Sequence, residues 1–417
     1  MRASFDAAVA AADPLRVVGA HLPQRPSGRV IVVGAGKAAA SMALAVERDW
    51  PGVALEGLVI TRYAHGAPTQ HIRVVEAGHP VPDKAGEVAA RDIMRIVSEL
   101  QRDDLLLVLL SGGGSSLMSL PVPGVSMASL KSVTRMLLAS GAPIGEMNIV
   151  RKHLSQIAGG RLAAAAADRG ARVLALMISD VTGDEPTDIA SGPCAPDPST
   201  YADAISVLSR WKVAAPDDVS AWLQRGARGD ADDTPKPGDA LFERVQNRVI
   251  ATAHRSLEAA AEVFRAAGIA PVLLGDTVTG EAREVARVYA ALVREISAYG
   301  QPFTRPVALL SGGECTVMVD TVSGRGGRCT EFLLSLAVEL DRMPNVHALA
   351  CDTDGIDGSE DNAGAWLAPN SAEEAFPSAQ ASLDRHDSYG FFSAIGQLIV
   401  TGPTRTNVND YRVILIL

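Results

Sequence analysis

At 417 residues and 43.5 kDa the chain is too long for one ordinary core, and about 100 to 200 residues per domain makes two the expected number. Its 38 Lys and Arg against 48 Asp and Glu leave a net charge of −10 and a pI near 5.3, so no broad basic face exists to neutralise a nucleic-acid backbone. Hydrophobic content of 47% with 21% charged residues is globular, and the longest apolar runs fall short of the ~20 residues that a spanning helix needs, which excludes a membrane partner.

Arg2, Asp6, Asp13 and Arg16 stand among the first alanines, a helical pattern that no export signal shares, and the cytoplasm is the expected location. Short β-branched runs then alternate with longer helical patterns, the rhythm of βαβ units in largely parallel sheets, so the fold class is α/β. Strands are expected near Arg29–Val33, Leu58–Thr61, Ile72–Val75, Leu105–Leu110 and Arg172–Ser179, with amphipathic helices over Lys84–Leu100 and Met127–Ser140. Between Ala214 and Gly238, Pro216-Asp217-Asp218, Asp230-Ala-Asp-Asp233 and Pro235-Lys-Pro237-Gly238 replace apolar periodicity with turn formers and charge, and the domain boundary is placed there: residues 1–235, then 240–417. A second sheet is expected from strands near Arg248–Thr252, Pro271–Leu274, Val307–Leu310, Thr316–Val319, His347–Cys351, Leu398–Thr401 and Arg412–Leu417. The four cysteines, Cys194, Cys315, Cys329 and Cys351, include no CxxC pair and suit reduced thiols.

The pentapeptide Leu-Leu-Ser-Gly-Gly occurs at Leu109–Gly113 and again at Leu309–Gly313, each time after an apolar strand. Loops at the carboxyl edge of parallel strands bind ligands in open α/β folds, so each domain is expected to offer one lip of a shared cleft. Val30-Ile-Val-Val-Gly34-Ala-Gly36-Lys37 is a strand running into a glycine turn and a helix, where backbone N–H groups favour an anion. Read as a dinucleotide fingerprint it lacks the acidic residue after the second strand, which ends at Thr61-Arg62, and Lys37 inside the turn suits phosphate or carboxylate better. Ser111-Gly112-Gly113-Gly114-Ser115-Ser116 is a second anion cradle, its serines free to cap the next helix or to bond the anion. In Asn148-Ile-Val-Arg151-Lys152-His153, Arg151 or Lys152 is a candidate to hold a carboxylate. Asp180, Asp184, Glu185 and Asp188 crowd one loop after a buried strand, a setting for magnesium held with substrate phosphates, or for helix capping and turns. In the second half, Gly312-Gly313-Glu314 follows a strand, and Arg325-Gly-Gly-Arg328 enters a helix as a phosphate-type loop. Asp352-Thr353-Asp354-Gly355-Ile-Asp357-Gly358 is a magnesium or nucleotide loop but no EF-hand, because Ala363 stands where that motif needs Glu. Thr401-Gly402-Pro403-Thr404-Arg405-Thr406-Asn407-Val-Asn409-Asp410 adds hydroxyls, amides and a cation.

Taken in order, GAGK, SGGGSSL, NIVRKHLS, ISDVTGDEPTDIASGP, SGGE, GGR, DTDGIDG and TGPTRTNVND resemble the bacterial glycerate 2-kinase family, some of whose members were once labelled hydroxypyruvate reductases. The resemblance covers almost the whole chain. It implies two α/β domains, the first with a Rossmann-like, mostly parallel sheet and the second a smaller MOFRL-type domain, with the active site in the cleft. It implies ATP, Mg2+ or another divalent cation, and D-glycerate becoming 2-phosphoglycerate. By the same resemblance Lys37 and Arg328 match the catalytic basic pair. Phosphate or substrate binding then falls to Gly34, Gly36, Ser111, Gly112, Gly113, Gly114, Ser115, Arg151, Lys152, Gly312, Gly313, Glu314 and Asn407, and metal binding to Asp180, Asp184 and Asp352. The family usually shows Asn-Gln where this chain has Cys329-Thr330, and glycine where it has Arg405. Alternatives within the same reading are an NAD(P)H-dependent hydroxypyruvate reductase and a kinase for another small sugar acid. Small molecules are the expected partners, with a homodimer allowed.

Overall fold

The computed structural model describes residues 1–24, 26, 28–319, 324–369, 371 and 378–417. They form two compact units, Pro14–Ile250 and a second made of Met1–Asp13 with Ala251–Leu417.

In the first unit β1 (Val30–Ala35), β2 (Leu55–Arg62), β3 (Arg73–Ala77), β4 (Leu105–Leu110), β5 (Arg172–Ile178) and β6 (Val245–Ala251) make one sheet in the order β3-β2-β1-β4-β5-β6. Neighbours from β3 through β5 run parallel, with Gly34 of β1 level with Val59 and Leu109. β1 and β4 are buried at every position, which is what continuous runs such as Leu105–Leu110 demand of a strand covered on both faces. One cover is the helix Lys84–Ser98, whose Asp83 cap accepts from Gly86 N and whose Ala89, Ala90, Ile93 and Val97 face inward. The strand order reverses between β1 and β4, and this switch point opens the crevice that ligands use in doubly wound sheets.

The second unit carries β7 (Ala270–Leu273), β8 (Gly280–Glu281), β9 (Val307–Ser311), β10 (Cys315–Thr316), β11 (Val346–Asp352), β12 (Gly364–Leu367), β13 (Leu398–Ile399) and β14 (Asp410–Ile416). Its main sheet has the order β13-β12-β11-β14-β9-β7, and β8 pairs with β10 apart from it. Only β7 and β9 are parallel in that sheet, and the helix Ala282–Tyr299 provides the crossover that such a pairing requires. The remaining pairs are antiparallel, against the expectation of a largely parallel sheet. The chain from β11 to β12 has no crossover helix, and β14 slots between β9 and β11 against both.

Two further expectations change. β6 closes the edge of the first sheet rather than opening the second, which moves the division from 235–240 to Ile250. The helix Arg2–Ala11 belongs to the second unit: Phe5 and Ala8 pack with Leu257, Ala261, Phe264 and Tyr411, and Tyr411 Oη lies 2.7 Å from Ser4 Oγ. No helix among the described residues is long and apolar enough to cross a membrane.

Candidate active site

In the first unit two glycine loops are fastened together at the switch point. Lys37 N donates to Gly112 O at 2.9 Å, Ala38 N donates to Ser111 Oγ at 2.9 Å, and Ser111 N donates to Ala35 O at 3.2 Å. The approach leaves no room for a side chain: a Cβ on Gly36, at φ 141°, would stand 2.1 Å from Ser111 Oγ. This changes one expectation. The N–H groups of Lys37 and Ala38 do not wait for an anion, because Gly112 and Ser111 already accept from them. What the loop presents is the Lys37 side chain, on a backbone held by main-chain and Ser111 contacts.

The far end of the 111–116 loop meets a strained segment. Ala190 and Ser191 have φ of 52° and 58°, and Gly192 follows at 61°, so three successive residues are left-handed. Non-glycine residues pay for that conformation, and such strain gathers where a side chain must be aimed. Here Ser191 Oγ lies 2.8 Å from Ser115 Oγ and donates to Asn148 Oδ1 at 3.3 Å. Ser116 Oγ donates to Gly113 O, a local helix-start contact. Residue order did not single out Ser191 or Asn148 for a role.

Between Arg151 and Lys152 the helix Ile144–His153 decides. Lys152 is buried with its Nζ 3.6 Å from Asp197 Oδ1, an internal ion pair that corrects its assignment to a substrate. Arg151 turns to a cavity of about 370 Å³ that Ser115, Ser116 and Ser191 also line. Burial lowers the Arg151 pKa, and its guanidinium has no side-chain partner among the described residues. The next residue, His153, is fully buried, with Nδ1 2.8 Å from Ile149 O and Nε2 3.1 Å from Asp233 Oδ1. Burial lowers its pKa below the ordinary 6.5. A base kept neutral in the fold and free to protonate once unfolded supplies its stability in full above pH 6.5, and that stability drains away as the pH falls through the lowered value. His153→Gln is therefore expected to lose less Tm than the parent between neutral and mildly acidic pH, as measured by thermal melts.

In the second unit three carboxylates gather on one guanidinium. Arg328, the first residue of the helix Arg328–Leu340, places Nε 2.7 Å from Asp410 Oδ1, Nη2 2.7 Å from Asp352 Oδ2 and Nη1 3.3 Å from Glu314 Oε1. Burial alone would lower its pKa, but Asp410, Asp352 and Glu314 outweigh burial and raise it. The other Asp410 oxygen is held by the fully buried Arg412, whose Nη1 donates to Gly312 O at 2.9 Å, while Asp410 N donates to Gly313 O. Asn407, also buried, accepts from Asn409 N through Oδ1, and Asn409 O accepts from Thr353 N. The two residues that frame Arg328, Asp410 and Arg412, were not singled out. Their signal was present: an acid and a base two apart in an apolar strand share one face of it.

Asp352 therefore stands elsewhere than expected: one oxygen receives Arg328 and the other accepts from Asp354 N, so it serves as an ion-pair partner before it serves as a metal ligand. The helix start at Arg328 is not an open phosphate site either. The Asp357 carboxylate accepts from Cys329 N, Thr330 N and Thr330 Oγ1 at 2.7 to 2.9 Å and occupies it. Thr330 is thus fitted to this cap, and Cys329 is buried. Cys194, Cys315 and Cys351 are buried too, and all four thiols are free. Arg405 is exposed with φ of 60°, where glycine is unstrained. Arg405→Gly is expected to raise stability by about 1 kcal/mol, seen as a Tm increase of a few degrees.

Among the described residues no three His, Cys, Asp or Glu side chains form a metal cage. Magnesium leans on one or two carboxylates plus substrate phosphates, and Asp180, half-buried just beyond the carboxyl end of β5, with Asp184 in the following turn, suits that mode.

A parallel sheet in this strand order with paired glycine loops at its switch point, and a mixed sheet that carries a caged arginine, define a two-unit α/β protein. Residues 1–224 match the family described as Domain of unknown function (DUF4147), and residues 307–410 match the MOFRL family. The chain belongs to this DUF4147 and MOFRL family, which includes the glycerate 2-kinases. It is 37% identical to the glycerate 2-kinase of Pyrococcus horikoshii, across 92% of this chain and 86% of that one. A protein of Agrobacterium vitis that carries a hydroxypyruvate reductase name is 50% identical, across 100% of this chain and 94% of that one. The crystal structure of a glycerate kinase from Thermotoga maritima superposes with a TM-score of 0.87 at 36% identity, covering 99% of this chain and 98% of that one.

Proposed function

We propose that this protein transfers the terminal phosphoryl group of ATP to the 2-hydroxyl of D-glycerate, giving 2-phosphoglycerate and ADP. The hydroxyl oxygen forms the new bond to phosphorus as the bond to the β,γ-bridging oxygen breaks, and the hydroxyl proton is released. Charge spreads over the phosphoryl oxygens in that transition state, so catalysis asks for positioned cations more than for covalent chemistry. The observation that carries the reading is Arg328, whose cation is locked by Asp352 and Asp410 yet remains 20% exposed, with Glu314, the most exposed of its three partners at 57%, holding it least closely. An incoming phosphate can displace Glu314 without disturbing the other two contacts. Lys37 is the second cation, Arg151 and the 111–116 loop bind phosphate or the acid, and Asp180 with Asp184 hold magnesium. That ion would screen the ATP phosphates.

The reductase reading fits less well. A nicotinamide dinucleotide needs pyrophosphate donors at the first glycine turn, and the N–H groups of Lys37 and Ala38 are already satisfied there. Coupled detection of ADP with a panel of small hydroxy acids tests both readings. The highest kcat/KM is expected with D-glycerate, and a tenfold preference for another acid would reassign the acceptor. ATP-independent oxidation of NADH or NADPH by hydroxypyruvate would overturn the proposal.

A further inference from the structure

Which ligand fills the cavity beside Arg151 can be decided from its chemistry. The void of about 370 Å³ lies wholly within the first unit, and much of its wall is aliphatic: Pro80, Leu120, Leu130 and Ile157. Val81 and Leu138 also line it and leave large apolar side chains 59% and 68% exposed. A three-carbon hydroxy acid carries a carboxylate and two hydroxyls on almost no apolar surface, and burying such groups against aliphatic walls costs several kcal/mol each unless they are hydrogen-bonded. A purine has two apolar faces to cover those walls and a polar edge for a few hydroxyls: Thr134, with Ser116 able to accept beside its bond to Gly113 O and Ser155 able to donate while it accepts from Ile157 N and Ala158 N. Three cations also line the cavity: Arg151 and Lys131, both half-buried, and the exposed Arg135. None of the three has a side-chain partner among the described residues. That combination matches a base with a phosphate chain and leaves a small acid short of partners.

We infer that this cavity receives the purine nucleoside of ATP, with Arg151 on its phosphate chain, an assignment that rests on the kinase reading above. The covalent link is the 111–116 loop itself. Ser115 and Ser116 line the cavity, while the Ser111–Gly112 end of the same loop is fastened to Lys37. A triphosphate leaving the cavity along this loop is led toward the catalytic lysine.

Two variants test the assignment on the full chain. Thr134→Trp puts an indole into the cavity, and Leu138→Glu places a carboxylate at an exposed wall position where it cannot upset the core. Each is expected to raise KM for ATP at least tenfold and to weaken ADP binding in isothermal titration by a similar factor, with kcat and KM for D-glycerate changed less than twofold. Inhibition by inorganic tripolyphosphate, which has no base, should stay within twofold of the parent. Unchanged ADP affinity in both variants, or a rise confined to KM for D-glycerate, would overturn the assignment while leaving the kinase reading intact. A parent protein that forms no ADP with any hydroxy acid yet binds ADP in a Thr134-dependent way would sink the kinase reading and keep the nucleoside site.

Discussion

Arg328→Ala is expected to lose turnover and stability together. Removing one fixed cation from the transition state costs on the order of 3 kcal/mol, about two decades in kcat. The same change strands buried Asp352 without the guanidinium that neutralises it and leaves buried Asp410 to Arg412 alone. Breaking one side of a buried ion pair typically costs about 3–5 kcal/mol, and partial exposure of Arg328 puts this case near the lower end. Arg328→Lys separates the two losses. A lysine restores the charge and hence most of the stability, but a single ammonium cannot span two carboxylates as the planar fork does, so kcat should recover only in part. Thermal melts and steady-state kinetics on both variants are the measurement. An alanine variant with parental Tm would contradict the buried cage.

Lys37→Ala is expected to behave differently, because main-chain bonds and Ser111 fasten its loop. Truncating the side chain leaves Lys37 N on Gly112 O and Ala38 N on Ser111 Oγ. Turnover should fall by about two decades while Tm moves by less than about 1 kcal/mol equivalent and KM for D-glycerate changes little. Near-parental kcat would remove Lys37 from the chemistry. A large Tm loss would show that its side chain, and not its backbone, carries the loop.

The contrast explains what residue order can and cannot reveal. β1 and β4 were legible because an uninterrupted run such as Leu105–Leu110 is buried only in a strand covered on both faces, and the glycine loops followed from where those strands end. β12, four residues reading Gly-Ala-Trp-Leu, carries too little pattern to be seen, and without it the antiparallel character of the second sheet is hidden. The first helix shows an apolar face in its sequence but not the surface it meets, so its place against Leu257 and Phe264 had no local signal. Arg151 and Lys152 sit about 100° apart around a helix, and only its placement tells which of them reaches the cavity and which reaches Asp197. Asp352 shows the same limit for acids: a strand-end carboxylate suits a metal or an arginine equally, and Arg328 arrives from a distant stretch of chain.

The central claim, that ATP is spent to place a phosphoryl group on the 2-hydroxyl of D-glycerate, is tested most directly by proton-coupled phosphorus NMR of the product formed from ATP, magnesium and D-glycerate. A phosphate on carbon 2 neighbours one carbon-bound hydrogen and gives a doublet, accompanied by ADP in equal amount, and that is the expected spectrum. A triplet from phosphate on carbon 3, or phosphate released without an ester, would contradict it.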